Sequence, residues 1–150
     1  MSGVAVIRSL LATNSAVTTA LGAGPPVATS RIIAGDLPLN TVMPAISISL
    51  VSGIPRLTIA MTEPNRLHTD RVQVSVLFKG PQGTPAGTGY PGVKALLALV
   101  LAACPNQHGT VNGVSVDAIL PDLEGPDLSD MATALYSGSR DFIVKWRSAA

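Results

Sequence analysis

The 150-residue chain is 47% hydrophobic, 13% charged and 3% aromatic, with a formal net charge of +1. That balance excludes a broad basic face for holding nucleic acid, and the single cysteine, Cys104, excludes an internal disulfide and fits a reducing compartment. Soluble domains carry about 25% charged residues, so part of this apolar surface is expected to meet other copies or partners.

The length fits one domain, residues 1–150, with enough chain to bury a sizeable core. The first residues lack the charged start, long apolar run and small-residue cleavage site of a secretory signal. Val4, Ile7, Leu10 and Leu11 keep helical spacing, which predicts an amphipathic helix over residues 3–13. Asn14 is placed to cap a second short turn from Val17 to Leu21, with Gly22 able to end it in the left-handed conformation. Residues 22–30, with Pro25-Pro26, read as a connector. Arg31-Ile32-Ile33-Ala34 reads as a short strand, stopped by Gly35-Asp36 and Pro38.

From Ala45 the period changes to two. Ile46, Ile48 and Leu50 alternate with Ser47 and Ser49, and Val72, Val74 and Val76 alternate with Gln73 and Ser75. Each pattern describes a half-buried strand, and the two are predicted to pair antiparallel. Residues 52–69 between them are long for a hairpin loop. Leu57, Ile59 and Met61 alternate there with Arg56 and Thr58, so the segment reads as an extended, partly β-structured arm whose apolar side needs a partner surface.

Residues 80–89 are rich in Gly and Pro and read as a loop. The run from Gly92 to Cys104 is a helix, opened by Pro91 in the first turn and closed by Pro105. Val93, Leu96, Leu97, Val100, Leu101 and Cys104 share one face, and the other face (Ala95, Leu99, Ala102) is hardly polar, so cover nearly all round is expected. Ten uninterrupted apolar residues rise only about 15 Å, half of the roughly 30 Å of bilayer hydrocarbon, so no membrane span is expected. Asn112-Gly113 is a turn signal ahead of alternating Val114, Val116 and Leu120. Residues 121–130 read as an acidic loop, and residues 139–147 as a strand with Phe142, Val144 and Trp146 on one face. The predicted class is α+β: a mostly antiparallel sheet of about four strands with helices packed on it, in the order α-β-β-α-β-β, plus the arm.

Three constellations bear on chemistry. Gly87-Thr88-Gly89-Tyr90-Pro91-Gly92 matches a dinucleotide fingerprint, G-x-G-x-x-G. It lacks the tight strand-to-helix turn, Pro91 removes an amide donor, and no parallel repeat follows, so no cofactor is expected. Cys104, His108 and Asp117 supply the residue types of a thiol nucleophile with base and orienter. A buried structural thiol and surface histidines at positions 68 and 108 are the expectation instead, and their spacing does not suit zinc. Asp122, Glu124, Asp127 and Asp130 form an acidic cluster without the calcium-loop pattern. It is expected to be solvated or to face Arg or Lys of a neighbouring subunit, so no metal site is assigned. With no phosphate loop, serine-nucleophile motif or zinc-protease motif, the chain reads as a non-enzyme.

Four stretches, in order over nearly the whole chain, resemble the tail-completion and tail-terminator family of long-tailed bacteriophages. They are Leu10-Leu11-Ala12 with Ala16-Val17-Thr18-Thr19-Ala20-Leu21, and Arg31-Ile32-Ile33 with Leu39 and Met43-Pro44-Ala45-Ile46-Ser47-Ile48. Then come Thr69-Asp70-Arg71-Val72-Gln73-Val74-Ser75-Val76, and Leu135-Tyr136 with Arg140-Asp141-Phe142-Ile143-Val144-Lys145-Trp146. The resemblance implies a virion protein, assembled in the host cytoplasm, that sits as a ring, commonly a hexamer, on the head-proximal end of the tail. Such a ring ends tube polymerisation and docks the head-tail connector. Its implied partners are copies of itself, the major tail tube protein and a connector or stopper protein, with DNA passing through the lumen unread. Leu57, Ile59 and Met61 of the arm, with Asp122, Glu124 and Asp127, are the expected subunit-interface residues. The competing expectations are another neck or head-completion protein and, from a different class, a small nucleotide-binding enzyme using the 87–92 loop.

Overall fold

The computed structural model describes residues 2–21, 31–38, 41, 43–56, 66–79, 89–130, 133 and 135–148. Helix α1 (Gly3–Thr13) starts where the Ser2 hydroxyl accepts from the Ala5 amide and buries Val6, Ile7 and Leu11. Val4 and Leu10 are only partly covered at its margins. Asn14 then caps α2 (Ser15–Ala20), its Oδ1 accepting from the Val17 amide at 3.1 Å. Helix α1 has the expected bounds; α2 has the expected Asn14 cap but starts at Ser15 and ends at Ala20, before Leu21. Gly22 and the connector lie outside the described residues.

Among the described residues seven strands follow where about four were expected: β1 (Ile32–Ala34), β2 (Ala45–Arg56), β3 (Leu67–Lys79), β4 (Gly109–Val111), β5 (Val114–Glu124), β6 (Leu128–Asp130) and β7 (Leu135–Arg147). The sheet order is β1-β2-β3-β7-β5-β4, with β6 also on β7. Among the described residues only β1 and β2 run parallel, and the other pairs are antiparallel.

The expected β2–β3 pair forms, from Ala45↔Leu77 to Arg56↔Leu67, with a register shift between Leu50 and Ser52. The shift comes after Leu50, which still pairs in register with Val72; Ile46 and Ile48 are buried, whereas Leu50 is not. The two ends of the arm are therefore an extended hairpin, whereas residues 57–65, with Leu57, Ile59 and Met61, lie outside the described residues.

Strand β7 is the axis of the sheet. It pairs with β3 without interruption from Leu67↔Arg147 to Lys79↔Leu135, and on its other side it carries both β5 and β6. Its inward residues Tyr136, Phe142, Val144 and Trp146 meet Val72, Val74 and Val76 of β3 in one core. Helix α3 (Tyr90–Ala103) lies over this face and buries Val93, Leu96, Leu97 and Val100. The helix comes in over Gly138, where a Cβ would stand 2.8 Å from Val93 Cγ1 and 2.9 Å from Leu97 Cδ1. Any side chain there would hold the helix off the sheet.

Three expectations need correction. Residues 121–130 are not a loop: β5 runs on through Pro121 to Glu124, and Leu128–Asp130 form β6, because β7 offers backbone partners as far as Leu135. Helix α3 is not covered all round, since Leu101 is exposed along with Ala95, Ala98 and Ala102. Its expected apolar face is one residue too wide, and the core takes a narrower stripe. Strand β4 was not anticipated, although its turn was: Asn112 and Gly113 have φ of 49° and 76°, the paired positive angles an Asn-Gly hairpin turn requires.

Candidate functional site

Both long margins of the sheet are only partly covered. On one side, β1 pairs with β2 at Ile46–Ile48 alone, and the Gly35 amide then takes the Ile48 carbonyl at 2.8 Å. Beyond that, residues 49–56 have β3 on one side and, among the described residues, no strand on the other. Here Leu50 and Val51 are each 51% exposed and Ile54 is 56% exposed.

On the opposite side, β4 covers β5 only at Val114–Val116, and Asn106 Oδ1 accepts from the Ile119 amide at 3.2 Å. Past this point the margin carries Leu120, Leu123 at 60% exposure and, on β6, Leu128 at 61%. The exposed large aliphatic side chains of β2, β5 and β6 are thus grouped on these two margins.

The second margin is held by charges. Lys94 Nζ on α3 reaches Asp127 Oδ1 at 2.9 Å and Glu124 Oε1 at 3.0 Å. Hydrogen bonds to Asp127, then Glu124, hold its ammonium above the usual lysine range. The Gly125 amide donates to the Ser139 carbonyl at 2.9 Å, fixing the corner between β5 and β6 to β7. Behind it, Arg71 Nε meets Asp141 Oδ2 at 2.8 Å, and its guanidinium reaches Asp122 Oδ2 at 3.5 Å. A hollow of about 310 Å³ opens beside Leu128, walled by Tyr90, Val93, Asp127, Ser129, Tyr136 and Ser137.

Of the expected interface residues, Asp122, Glu124 and Asp127 thus lie together on one margin, each engaged by a cation of its own chain. The exposed leucines between them were not singled out in the sequence. The signal was present: Leu123 and Leu128 are aliphatic residues next to acids, Asp-Leu-Glu at the end of β5 and Asp-Leu-Ser in β6, on stretches that bury no residue.

The nucleophile constellation is not assembled. Burial pushes the Cys104 thiol up to about 12, so almost no thiolate is present at neutral pH. Asp117 is held by Arg147 Nε at 2.9 Å, and His108 is exposed. His68 is no free surface residue: its ring stacks on Trp146 with centroids 4.2 Å apart. Of the glycine-rich motif, Gly87 and Thr88 lie outside the described residues, while Gly89 is the N-cap of α3. Among the described residues no three His, Cys, Asp or Glu side chains gather as metal ligands. No helix among them is long and apolar enough to cross a membrane.

Neither a family model nor a curated protein sequence matches the chain. Among solved structures, the chain is similar in fold to a chain from the virion of a native gene transfer agent particle, with a TM-score of 0.64 at 12% identity. The likeness covers 98% of this chain and 96% of the other, so the two share an architecture end to end.

Proposed function

We propose that this chain is a structural virion protein, a ring subunit on the head-proximal end of a phage-type tail, where it ends tube polymerisation and joins tail to head connector. The observation that carries the reading is the end-to-end fold likeness to a chain of a gene transfer agent virion. It agrees with the order of sequence stretches that resemble tail-completion proteins.

The physics of the surface supports the same reading. A closed ring repeats one head-to-tail contact, so each subunit needs two different patches that fit each other. The two apolar margins of this sheet are such a pair. The net charge of +1 suits a lumen through which DNA slides, since binding strength grows with every phosphate neutralised. The arm residues Leu57, Ile59 and Met61 extend the apolar sequence of β2 and belong to the same contact. The protein acts through shape and adhesion, with the tube protein on one face and the connector on the other.

The test is genetic. Disrupting this gene in cells that make the particle is expected to give overlong tails or tails without heads in negative-stain electron micrographs. Cells with no tails at all would identify a tube subunit instead, and normal joined particles would overturn the reading.

A further inference from the structure

Lys94 holds two carboxylates, and the arginine opposite one of them holds none. Lys94 Nζ stands 2.9 Å from Asp127 Oδ1 and 3.0 Å from Glu124 Oε1. Arg140 makes no ion pair among the described residues, and its Nε is buried without a hydrogen-bond partner. A charged donor left in this state is costly, because it has given up water and gained no acceptor in return.

Register puts the missing acceptor within reach. Glu124 is the cross-strand partner of Arg140, in the last pair that β5 makes with β7. Residues directly opposite in an antiparallel ladder share a face, with Cβ atoms about 5 Å apart. That face is the one under α3, since Arg140 lies between Gly138, beneath Val93 and Leu97, and Phe142 of the core. Lys94 reaches Glu124 from α3 on the same side. One carboxylate therefore has two cations available to it.

The two pairings differ in strength. The side chains of Lys94 and Glu124 are 33% and 47% exposed, so water screens their bond and it adds little. Arg140 Nε is out of water, where a charge-assisted bond is strongest. Lys94 still has Asp127 when Glu124 leaves. The ladder does not oppose the move either. Its register shift falls between Pro121 and Glu124, so Asp122 and Leu123 are not fixed by regular pairing.

We infer that Glu124 exchanges between Lys94 and Arg140, so that the end of β5 is tied either to α3 or to β7. In the second arrangement Glu124 accepts from Arg140 Nε, and Lys94 keeps Asp127 alone. The exchange acts on the stretch that carries Leu123, 60% exposed. It sets whether this margin of the sheet is anchored to the helix or to the strand. An acid that took Lys94 from outside would release Glu124 to Arg140, and contact at α3 would then alter the β5 margin. None of this depends on the ring reading.

The experiment follows the Arg140 Nε–Hε signal of the full-length chain by heteronuclear NMR, assigned by its loss in Arg140→Lys. Lys94→Met removes one cation, and Glu124→Gln removes the shared charge. Both side chains are partly exposed, so thermal unfolding within a few degrees of the native protein is expected and checks that both variants fold. In Lys94→Met the Arg140 Hε is expected to move downfield and to exchange with water about tenfold more slowly, the protection a charge-assisted hydrogen bond gives. In Glu124→Gln it is expected to move upfield, and adding Lys94→Met to that variant should change nothing further. A signal that Lys94→Met leaves unmoved, or that exchanges too fast to be seen there, would overturn the exchange. So would an undiminished response to Lys94→Met in the Glu124→Gln background, because the acceptor would then be another group.

Discussion

Asp70 Oδ2 stands 2.8 Å from the Gly3 amide nitrogen and 2.8 Å from Trp146 Nε1, so one buried oxygen joins the start of α1 to the end of β7. The carboxylate fits because glycine flanks it twice. A Cβ on Gly3 would lie 3.0 Å from Asp70 Cβ, and one on Gly53 would lie 2.9 Å from its Oδ1. The site also gains from the positive end of the helix dipole. Replacing Asp70 by Ala strips two buried donors of their acceptor, each worth about 1–3 kcal/mol when left unsatisfied. Asp70→Ala is expected to lower stability by about 3 kcal/mol, a fall in Tm of about 6–12 °C at this size. Asp70→Asn keeps one acceptor and should lose less. Urea unfolding followed by Trp146 fluorescence measures both.

Gly138 sets the distance between α3 and the sheet. In Gly138→Ala, the new methyl would press on Val93 Cγ1, a stiff β-branched side chain, and on Leu97 Cδ1. Overpacking of this kind costs about 1–3 kcal/mol, and Gly138→Val should cost more. A Val93→Ala change in the same chain is expected to restore part of the loss, which a double-mutant cycle reads directly.

Burial raises the Cys104 thiol from an ordinary 9.0 to about 12. Between those values the unfolded chain has released a proton that the folded chain keeps, so the unfolded state binds fewer protons and stability falls as pH rises. The expected slope approaches about 1.4 kcal/mol per pH unit. Lys94 acts in the same direction only above its ordinary 10.5, so the interval from 9 to 10.5 isolates the thiol. Cys104→Ala should flatten denaturation midpoints across that interval, and the native thiol should resist a disulfide reagent at pH 8 until the protein unfolds.

Lys94 ties the β5–β6 corner to α3 through two exposed ion pairs, a kind of contact that adds little to global stability. Lys94→Gln is therefore expected to leave Tm nearly unchanged while the amides of residues 123–128 exchange faster with deuterium. Protection unchanged in the variant would show that the Gly125 amide and β6 pairing hold the corner alone.

Much of this fold is legible in local chemistry. Alternation at Val72, Val74 and Val76, and at Phe142, Val144 and Trp146, has one solution once a single face is buried. Asn14 marks the start of α2, Pro91 and Pro105 bracket α3, and Asn112-Gly113 turns a hairpin, because each acts through its own backbone and near neighbours. Tertiary structure decided the rest. Residues 121–130 have the prolines and acids of a loop, yet pairing of Glu124 with Arg140 and Leu128 with Ser137 makes strands of them. The strand that follows them, β7, satisfies their backbone groups, and that outweighs local propensity. The same register brings Leu50 level with Pro121, next to Leu120, and leaves both leucines exposed, a relation no run of neighbouring residues contains, because it is measured across four hydrogen-bonded strands rather than along one.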